Sequence, residues 1–235
     1  MLRYYNLPFL LRGSEKSMGQ YTKQDAIRIV SSCALKYEEN LSGKNLLFLC
    51  QNKHGCAKLL EFSFDANNFL HLTGLKLKER KEVQPISARK FYDMCLNHKL
   101  SPSDFEFAKD GTTQLKLEIL PSLISKNLSA KMIGDYNSRN PKLMTDKIAG
   151  NTTACMGFVG TEPSGRFVPN TVLKLDIRDC ITNQLRVVAV YRKEQSEDEY
   201  AEVTYRAKKI EWDKIQYPEA YRYLASLNPV PEVTG

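Results

Sequence analysis

A histidine and a threonine lie on one predicted strand, next to a stretch rich in cations. Residues 59–74 read LLEFSFDANNFLHLTG, two short runs of alternating apolar residues joined by the turn-forming DANN segment, which is typical of a β-hairpin. Because side chains on a strand alternate between faces, His71 and Thr73 share one face. The following LKLKERKE segment carries Lys76 and Lys78. An imidazole beside such cations indicates proton-transfer chemistry on phosphates.

Metal-free cleavage of RNA is the reaction that these residue types support. RNA carries its own nucleophile, the 2′-hydroxyl. A site therefore needs a base for the 2′ proton, a cation for the phosphoryl oxygens and an acid for the departing 5′ oxygen. His71 suits the proton transfer. The candidate cations on the later strands are Lys147, Arg166, Arg192 and Lys193, and the candidate hydroxyls are Thr73, Thr171 and Tyr205.

Each candidate also has a structural interpretation. A solitary histidine on a strand is commonly half-buried with one satisfied hydrogen bond, and an isolated surface cation is commonly solvated. Tyr205 shares its predicted strand face with Val203, which favours a buried structural tyrosine. His54 lies in a predicted turn, where we expect a solvated loop residue because a flexible tip does not hold a base in place.

Other classes of enzyme lose their usual support. The sequence contains no GxxxxGK[ST] phosphate loop, no GxSxG elbow and no HExxH pair, which removes the common signatures of nucleotide, ester and zinc-peptide hydrolysis. Asp135, Asp146 and Asp176 are scattered, and the six cysteines lack zinc-site spacing. We therefore expect neither a metal ion nor another cofactor.

Composition favours a polyanionic partner. The 235-residue chain has a formal net charge of +7 and a pI near 9.0, which favours RNA, DNA or an acidic protein, with nucleic acid as the leading class. There is no signal-peptide pattern and no apolar run of about 18 residues. These features predict a cytoplasmic protein with no membrane association and with reduced, mostly buried cysteines.

The predicted elements change character along the chain. Residues 22–40 and 87–99 have helical apolar spacing behind the capping residues Thr22 and Ser87. From residue 130 onward, strand-length runs alternate with turn clusters, and residues 218–227 form a predicted terminal helix. Helices early and strands late indicate an α+β fold. A helix-turn-helix with a basic recognition helix is not evident, so a DNA-binding regulator is the weaker alternative.

A set of segments resembles a known nuclease family. These segments, in order, are FLHLTG, AxxFY within 87–92, SPSDF, IGDY, LMTDKIAGN followed by MGFV, FVPNT, and VYRK before TYRAKK. They resemble the fourth phage subfamily of the barnase, EndoU, colicin and RelE-like (BECR-fold) nuclease superfamily over roughly residues 46–212. The resemblance implies N-terminal helices packed on an antiparallel β-sheet. We divide the chain into an N-terminal extension and helix at 1–43, which lie outside the resemblance, and a nuclease domain with a C-terminal helix at 44–235.

The resemblance also implies a site and an activity. It makes His71 the catalytic histidine, with Lys147, Thr171 and Lys193 as neighbouring site positions. The activity it implies is a metal-independent RNase, acting as a toxin or effector of a phage or mobile element. The remaining candidates would contact RNA, and they are Thr73, Lys76, Lys78, Arg166, Arg192 and Tyr205.

Two functional hypotheses follow from these observations. In the first, the protein cleaves a cellular RNA such as tRNA, mRNA or a guide RNA, with an antitoxin as a possible protein partner. In the second, it is a catalytically inactive relative that binds RNA or a host defence protein, for example as a counter-defence (anti-CRISPR) factor, because a fold does not dictate an activity. Incubation with RNA in EDTA separates them, since only the first predicts cleavage.

Overall fold

The computed structural model describes residues 20–78, 85–138, 141, 143–163 and 165–228. The α-helices are α1 (Lys23–Asn40), α2 (Phe69–Thr73), α3 (Ala88–Leu96) and α4 (Thr112–Leu123). The strands are β1 (Lys44–Gln51), β2 (Ala57–Phe64), β3 (Lys76–Leu77), β4 (Phe105–Glu106), β5 (Met132–Tyr136), β6 (Lys147–Gly150), β7 (Cys155–Thr161), β8 (Arg166–Leu173), β9 (Ile181–Glu194) and β10 (Glu202–Arg206). Short 3₁₀ helices cover Ala66–Asn68, Ile177–Asp179, Trp212–Lys214 and Glu219–Leu227.

Seven of these strands close into a mixed β-barrel. The order is β1-β2-β8-β7-β6-β5-β9, and β9 pairs back with β1, while β10 adds to β9 outside the ring. All pairings within the ring are antiparallel except β2 with β8, which is parallel and rests on Phe62 opposite Phe167. The predicted antiparallel sheet with helices packed on it is therefore wrong. Alternation of apolar residues defines strands and faces, but it does not specify a parallel closure.

The first helix forms as its sequence predicts. Thr22 and Asp25 make a reciprocal capping box, which satisfies two backbone N–H groups that have no partner inside the helix. Ala26, Val30 and Tyr37 lie on its buried face. This buried face orients α1 toward the barrel.

The predicted hairpin at 59–74 is wrong in its second arm. The first arm is β2, but FLHLT forms the helix α2. Asp65 and Asn68 cap this turn reciprocally, Phe69 and Leu72 are buried at the helical i, i+3 spacing, and Gly74 ends the helix with φ +69°. His71 therefore lies on a short helix, and the facing argument from strand alternation does not apply to it.

The two ends of β2 have different surroundings: one end packs against the helices, and the other is the open, polar end of the barrel. Phe64, at the end of β2, contacts the ring of Tyr37 from α1, and Leu60 and Phe62 lie in the same buried core. Lys58, near the start of β2, is exposed. The outward face of β1 and β9 is covered by residues of the C-terminal segment, which is a 3₁₀ helix where the prediction placed an α-helix. Among the described residues, no helix combines the length and apolar character that a membrane crossing requires.

Candidate functional site

A cleft of about 820 Å³ opens at the mouth of the barrel, at the end where β1 stops. Pairing of β1 with β9 ends at Gln51 opposite Arg186, so the first residues of β9 extend beyond β1 and form one wall. The turn between β1 and β2 forms the other wall. The lining residues are Gln51, Asn52, Lys53, His54, Lys58, Asn183, Gln184, Leu185 and Arg186. We call this site the mouth cleft.

The mouth cleft is electropositive. Lys53, Lys58 and Arg186 line it, and none of its lining residues carries a carboxylate. The other polar lining groups are side-chain amides and the imidazole of His54. A concave surface with charge of one sign concentrates ligands of the opposite charge. The mouth cleft is therefore suited to a phosphate-bearing chain.

The loop that carries His54 is held by its own hydrogen bonds. The side-chain Oδ1 of Asn52 accepts hydrogen bonds from the N–H groups of His54 and Cys56, both at 2.9 Å. The N–H of Gly55 donates to the carbonyl of Asn52 at 3.0 Å, and Gly55 has φ +79°, a conformation that favours glycine. The expectation that His54 belongs to a flexible tip overlooked this Asn-centred turn, whose signal is the N-x-x-G spacing.

A partly buried ion pair supports the wall formed by β9. Lys147 on β6 pairs with Asp135 on β5, and Asn183 of the cleft donates to Asp135 Oδ2 at 2.7 Å. Burial raises the pKa of Asp135, but hydrogen bonds from Lys147 and Asn183 and the charges of Lys147 and Lys58 outweigh it, so its pKa is lowered. Asp135 is therefore ionised at neutral pH. Lys147, a predicted site residue, thus lies next to the mouth cleft.

Two other predicted cations meet on the outward face of the sheet. Glu61 accepts hydrogen bonds from Tyr200 Oη at 2.7 Å and Asn45 Nδ2 at 3.2 Å, and Arg166 Nε lies 3.3 Å from its carboxylate. Lys193 Nζ lies 5.0 Å from the ring centroid of Tyr200. We call these five residues the outer cluster. Because Glu61 alternates with the inward-facing Leu60 and Phe62, this cluster and Lys147 lie on opposite faces.

Several predicted site residues are buried or engaged in contacts within the protein. Arg192 donates to Glu202 at 2.6 Å and to two carbonyls at the end of α1. Tyr205 is half-buried under Lys131 Nζ, 4.2 Å from its ring centroid. Thr73 is buried and donates to the carbonyl of Leu70, and Thr171 is buried on β8. These contacts favour structural roles for the four residues.

His71 lies apart from the lining of the mouth cleft. It is exposed on α2, which packs against β8 and α4, and its carbonyl accepts a hydrogen bond from Lys116 Nζ at 2.9 Å. Lys76 is exposed on β3, and Lys78 pairs with Glu106 at 3.2 Å. The catalytic role of His71 stays a prediction.

Lys116 gives a testable pH dependence. Burial, together with the charge of Lys76, lowers the pKa of Lys116 from 10.5 to about 8. Between pH 8 and 10.5 the unfolded chain therefore keeps a proton that the folded chain has lost, so the stability contribution of Lys116 rises with pH by roughly 1 to 3 kcal/mol. Lys116→Met should remove this rise, as measured by urea unfolding across that range.

The comparison that isolates Lys116 is a difference between variants. Other groups also titrate above pH 9, so the free energy of unfolding of Lys116→Met is subtracted from that of the unsubstituted protein at each pH. Lys99→Met, which changes an exposed lysine, serves as the control for the exchange of a lysine for a methionine. A difference for Lys116→Met that does not change with pH would contradict the lowered pKa.

Residues 29–209 match the family model described as phage-Barnase-EndoU-ColicinE5/D-RelE like nuclease 4. The chain belongs to this family. The match begins inside α1 and includes every strand of the barrel, the mouth cleft and the outer cluster, so the family segment starts earlier than the predicted residue 46. This nuclease family is the one that the sequence resemblance indicated. Comparisons with curated proteins and with solved structures gave no match.

The part of the chain that the structure describes contains no cluster of metal-ligating side chains. No three His, Cys, Asp or Glu side chains there converge as metal ligands would.

Proposed function

We propose that this protein cleaves RNA by metal-independent transphosphorylation and that the mouth cleft is where the RNA chain binds. The observation that carries the proposal is the lining of the cleft, in which one imidazole lies among three cations with no carboxylate. Membership in a nuclease family supports a cleavage function over simple binding.

The reaction needs only groups that the mouth cleft contains. His54 accepts the proton of the 2′-hydroxyl, the 2′ oxygen attacks the adjacent phosphorus, and the bond from phosphorus to the 5′ oxygen breaks. The proton held by His54 then passes to the departing 5′ oxygen. Lys58 and Arg186 stabilise the negative charge on the non-bridging oxygens. The products are a 2′,3′-cyclic phosphate and a 5′-hydroxyl.

Lys147 is assigned a positioning role in this proposal. Its ammonium is neutralised by Asp135, and Asp135 in turn accepts a hydrogen bond from Asn183, a residue of the cleft wall. Lys147 therefore acts on the cleft through Asp135 and Asn183, and it does not contact the phosphate itself.

The direct test uses total RNA and the full chain in the presence of EDTA. We expect fragments that end in 2′,3′-cyclic phosphate, as detected by ligation methods that require that end. RNA that is bound but remains intact would contradict cleavage and support the alternative, a catalytically inactive RNA-binding protein.

Binding in the cleft predicts a change in salt dependence. The double variant Lys58→Ala/Arg186→Ala should weaken the binding of single-stranded RNA and flatten the plot of log affinity against log salt concentration. Each lost phosphate contact removes about 0.7 from the slope for a single strand. The matched control is Lys214→Ala/Arg222→Ala, which removes two exposed cations from the C-terminal segment. An equal effect of both double variants would contradict binding in the mouth cleft.

A further inference from the structure

A β-bulge turns two neighbouring side chains of β9 into the mouth cleft. β5 and β9 pair on both sides of Gly134, and this one residue of β5 faces two residues of β9, Asn183 and Gln184. Successive side chains of a regular strand point to opposite faces, whereas the extra residue of a bulge redirects a side chain. Asn183 and Gln184 both line the mouth cleft as a result.

Local geometry holds the bulge in place. Asn183 has φ +49°, a left-handed conformation that asparagine adopts more readily than most residues. A Cβ atom at Gly134 would lie 2.7 Å from the carbonyl oxygen of Thr182, so the close approach of β9 to β5 at this point requires glycine. The bulge is therefore encoded by the sequences of both strands.

Hydrogen bonds to β5 fix which end of each amide is available to a ligand. The side-chain NH2 group of Asn183 donates to Asp135 Oδ2 at 2.7 Å, and that of Gln184 donates to the sulfur of Met132 at 3.0 Å. An ionised carboxylate and a thioether only accept hydrogen bonds, so neither amide can be reversed. Among the described residues, no donor reaches Asn183 Oδ1 or Gln184 Oε1. The wall formed by β9 therefore offers a ligand two acceptors.

The cations and the amides of the mouth cleft suit different parts of an RNA chain. Cations contact phosphates, which carry no sequence information, whereas base edges are read by hydrogen bonds. None of the described residues that line the cleft is a phenylalanine, a tyrosine or a tryptophan. Stacking on such rings accepts any base, and the cleft lining does not provide it. Recognition of a base there therefore depends on hydrogen bonds to the base edge.

Since RNA is the ligand under the proposed function, we propose that the mouth cleft selects bases that carry an exocyclic amino group, and that Asn183 Oδ1 and Gln184 Oε1 accept hydrogen bonds from it. Adenine, cytosine and guanine carry such a group, with two N–H donors. Uracil has only carbonyl oxygens and a single ring N–H on its pairing edge, so it would leave one acceptor unpaired. The cleft should therefore disfavour uracil.

Removing the amino group from the ligand tests this recognition without changing the protein. The probes are two single-stranded oligodeoxynucleotides of equal length, one made of adenine nucleotides and one of purine nucleotides, which lack only the 6-amino group. DNA has no 2′-hydroxyl, so binding is measured without cleavage. We expect the purine probe to bind about 5- to 150-fold more weakly, the range for a specific base contact. Equal affinities, or no binding of either probe, would overturn the proposal.

Gln184→Met locates the contact on β9. Methionine has a similar length but no amide oxygen, so this variant should bind the adenine probe more weakly and should lose most of the preference for adenine over purine. The matched control is Gln216→Met, which changes an exposed glutamine just before the C-terminal 3₁₀ helix and should keep the full preference. A preference of unchanged size in Gln184→Met would overturn the proposal.

These readouts are separable from the test of RNA cleavage. Cleavage of RNA in EDTA together with equal binding of the two probes would support the reaction and overturn the recognition of the amino group. A preference for the adenine probe in a protein that does not cleave RNA would support the recognition and contradict the reaction.

Discussion

Replacing His54 by alanine is expected to lower kcat/KM for RNA cleavage by about 100- to 10 000-fold, the usual contribution of a positioned proton-transfer group. The imidazole lies on the wall of the mouth cleft, in a loop that Asn52 holds by two hydrogen bonds. Removing it leaves the cations that bind the phosphates. The loss should therefore fall on kcat, with little change in the affinity for RNA, as measured by single-turnover cleavage and by equilibrium binding.

Another histidine of the chain supplies a matched control. His98→Ala changes an exposed residue that follows α3, and it should leave cleavage unchanged. Asn52→Ala should lower kcat because it releases the loop. Asn52→Asp should keep the loop in place, because a carboxylate oxygen also accepts hydrogen bonds from the two N–H groups, but it should weaken RNA binding because it brings a negative charge into the cleft. A loss in kcat for alanine and in affinity for aspartate separates a positioning role from general damage to the fold.

His71→Ala decides between the mouth cleft and the site implied by the family resemblance. Because His71 does not line the cleft, the proposal expects His71→Ala to keep nearly full activity. If His71→Ala abolished cleavage and His54→Ala did not, the catalytic imidazole would lie on α2 and the mechanism in the mouth cleft would be wrong.

The elements that were predicted correctly have strong local signals. The capping pair Thr22 and Asp25 and the apolar spacing behind it locate α1. Period-two alternation and turn clusters locate the later strands. The helix at FLHLT was missed because its apolar residues also fit a strand. The feature that distinguishes helix from strand here is the capping of the turn by Asp65 and Asn68.

The site was predictable only in part, because it depends on which strands become neighbours. Lys147 was a predicted site residue, but its partner Asp135 was set aside as one of three scattered acids. The two residues lie opposite each other in the β5–β6 pairing, and strands that follow each other along the chain commonly pair. His54 was set aside as a solvated residue of a flexible turn. The cleft that it lines exists because β9 extends beyond the end of β1, a length difference that no single strand reveals.

Phe62→Ala is expected to lower the free energy of unfolding by about 3 to 5 kcal/mol, the usual cost of truncating a buried phenylalanine. Phe62 is fully buried, and its ring lies 4.5 to 5.5 Å from the rings of Phe48, Phe158 and Phe167. Its backbone also makes the parallel pairing with Phe167 that closes the barrel. One substitution therefore removes aromatic contacts to three strands, as measured by urea unfolding.

The size of this effect tests the closed barrel itself. In an open antiparallel sheet, β2 and β8 would be separate edges, and Phe62 would lose its contact with Phe167. Phe167→Ala in the Phe62→Ala background then reports the coupling, because the two losses are non-additive only if the rings touch. Met144→Ala, which truncates a side chain that is 90% exposed, should cost less than about 0.5 kcal/mol. Additive losses at positions 62 and 167 would contradict the contact that closes the ring.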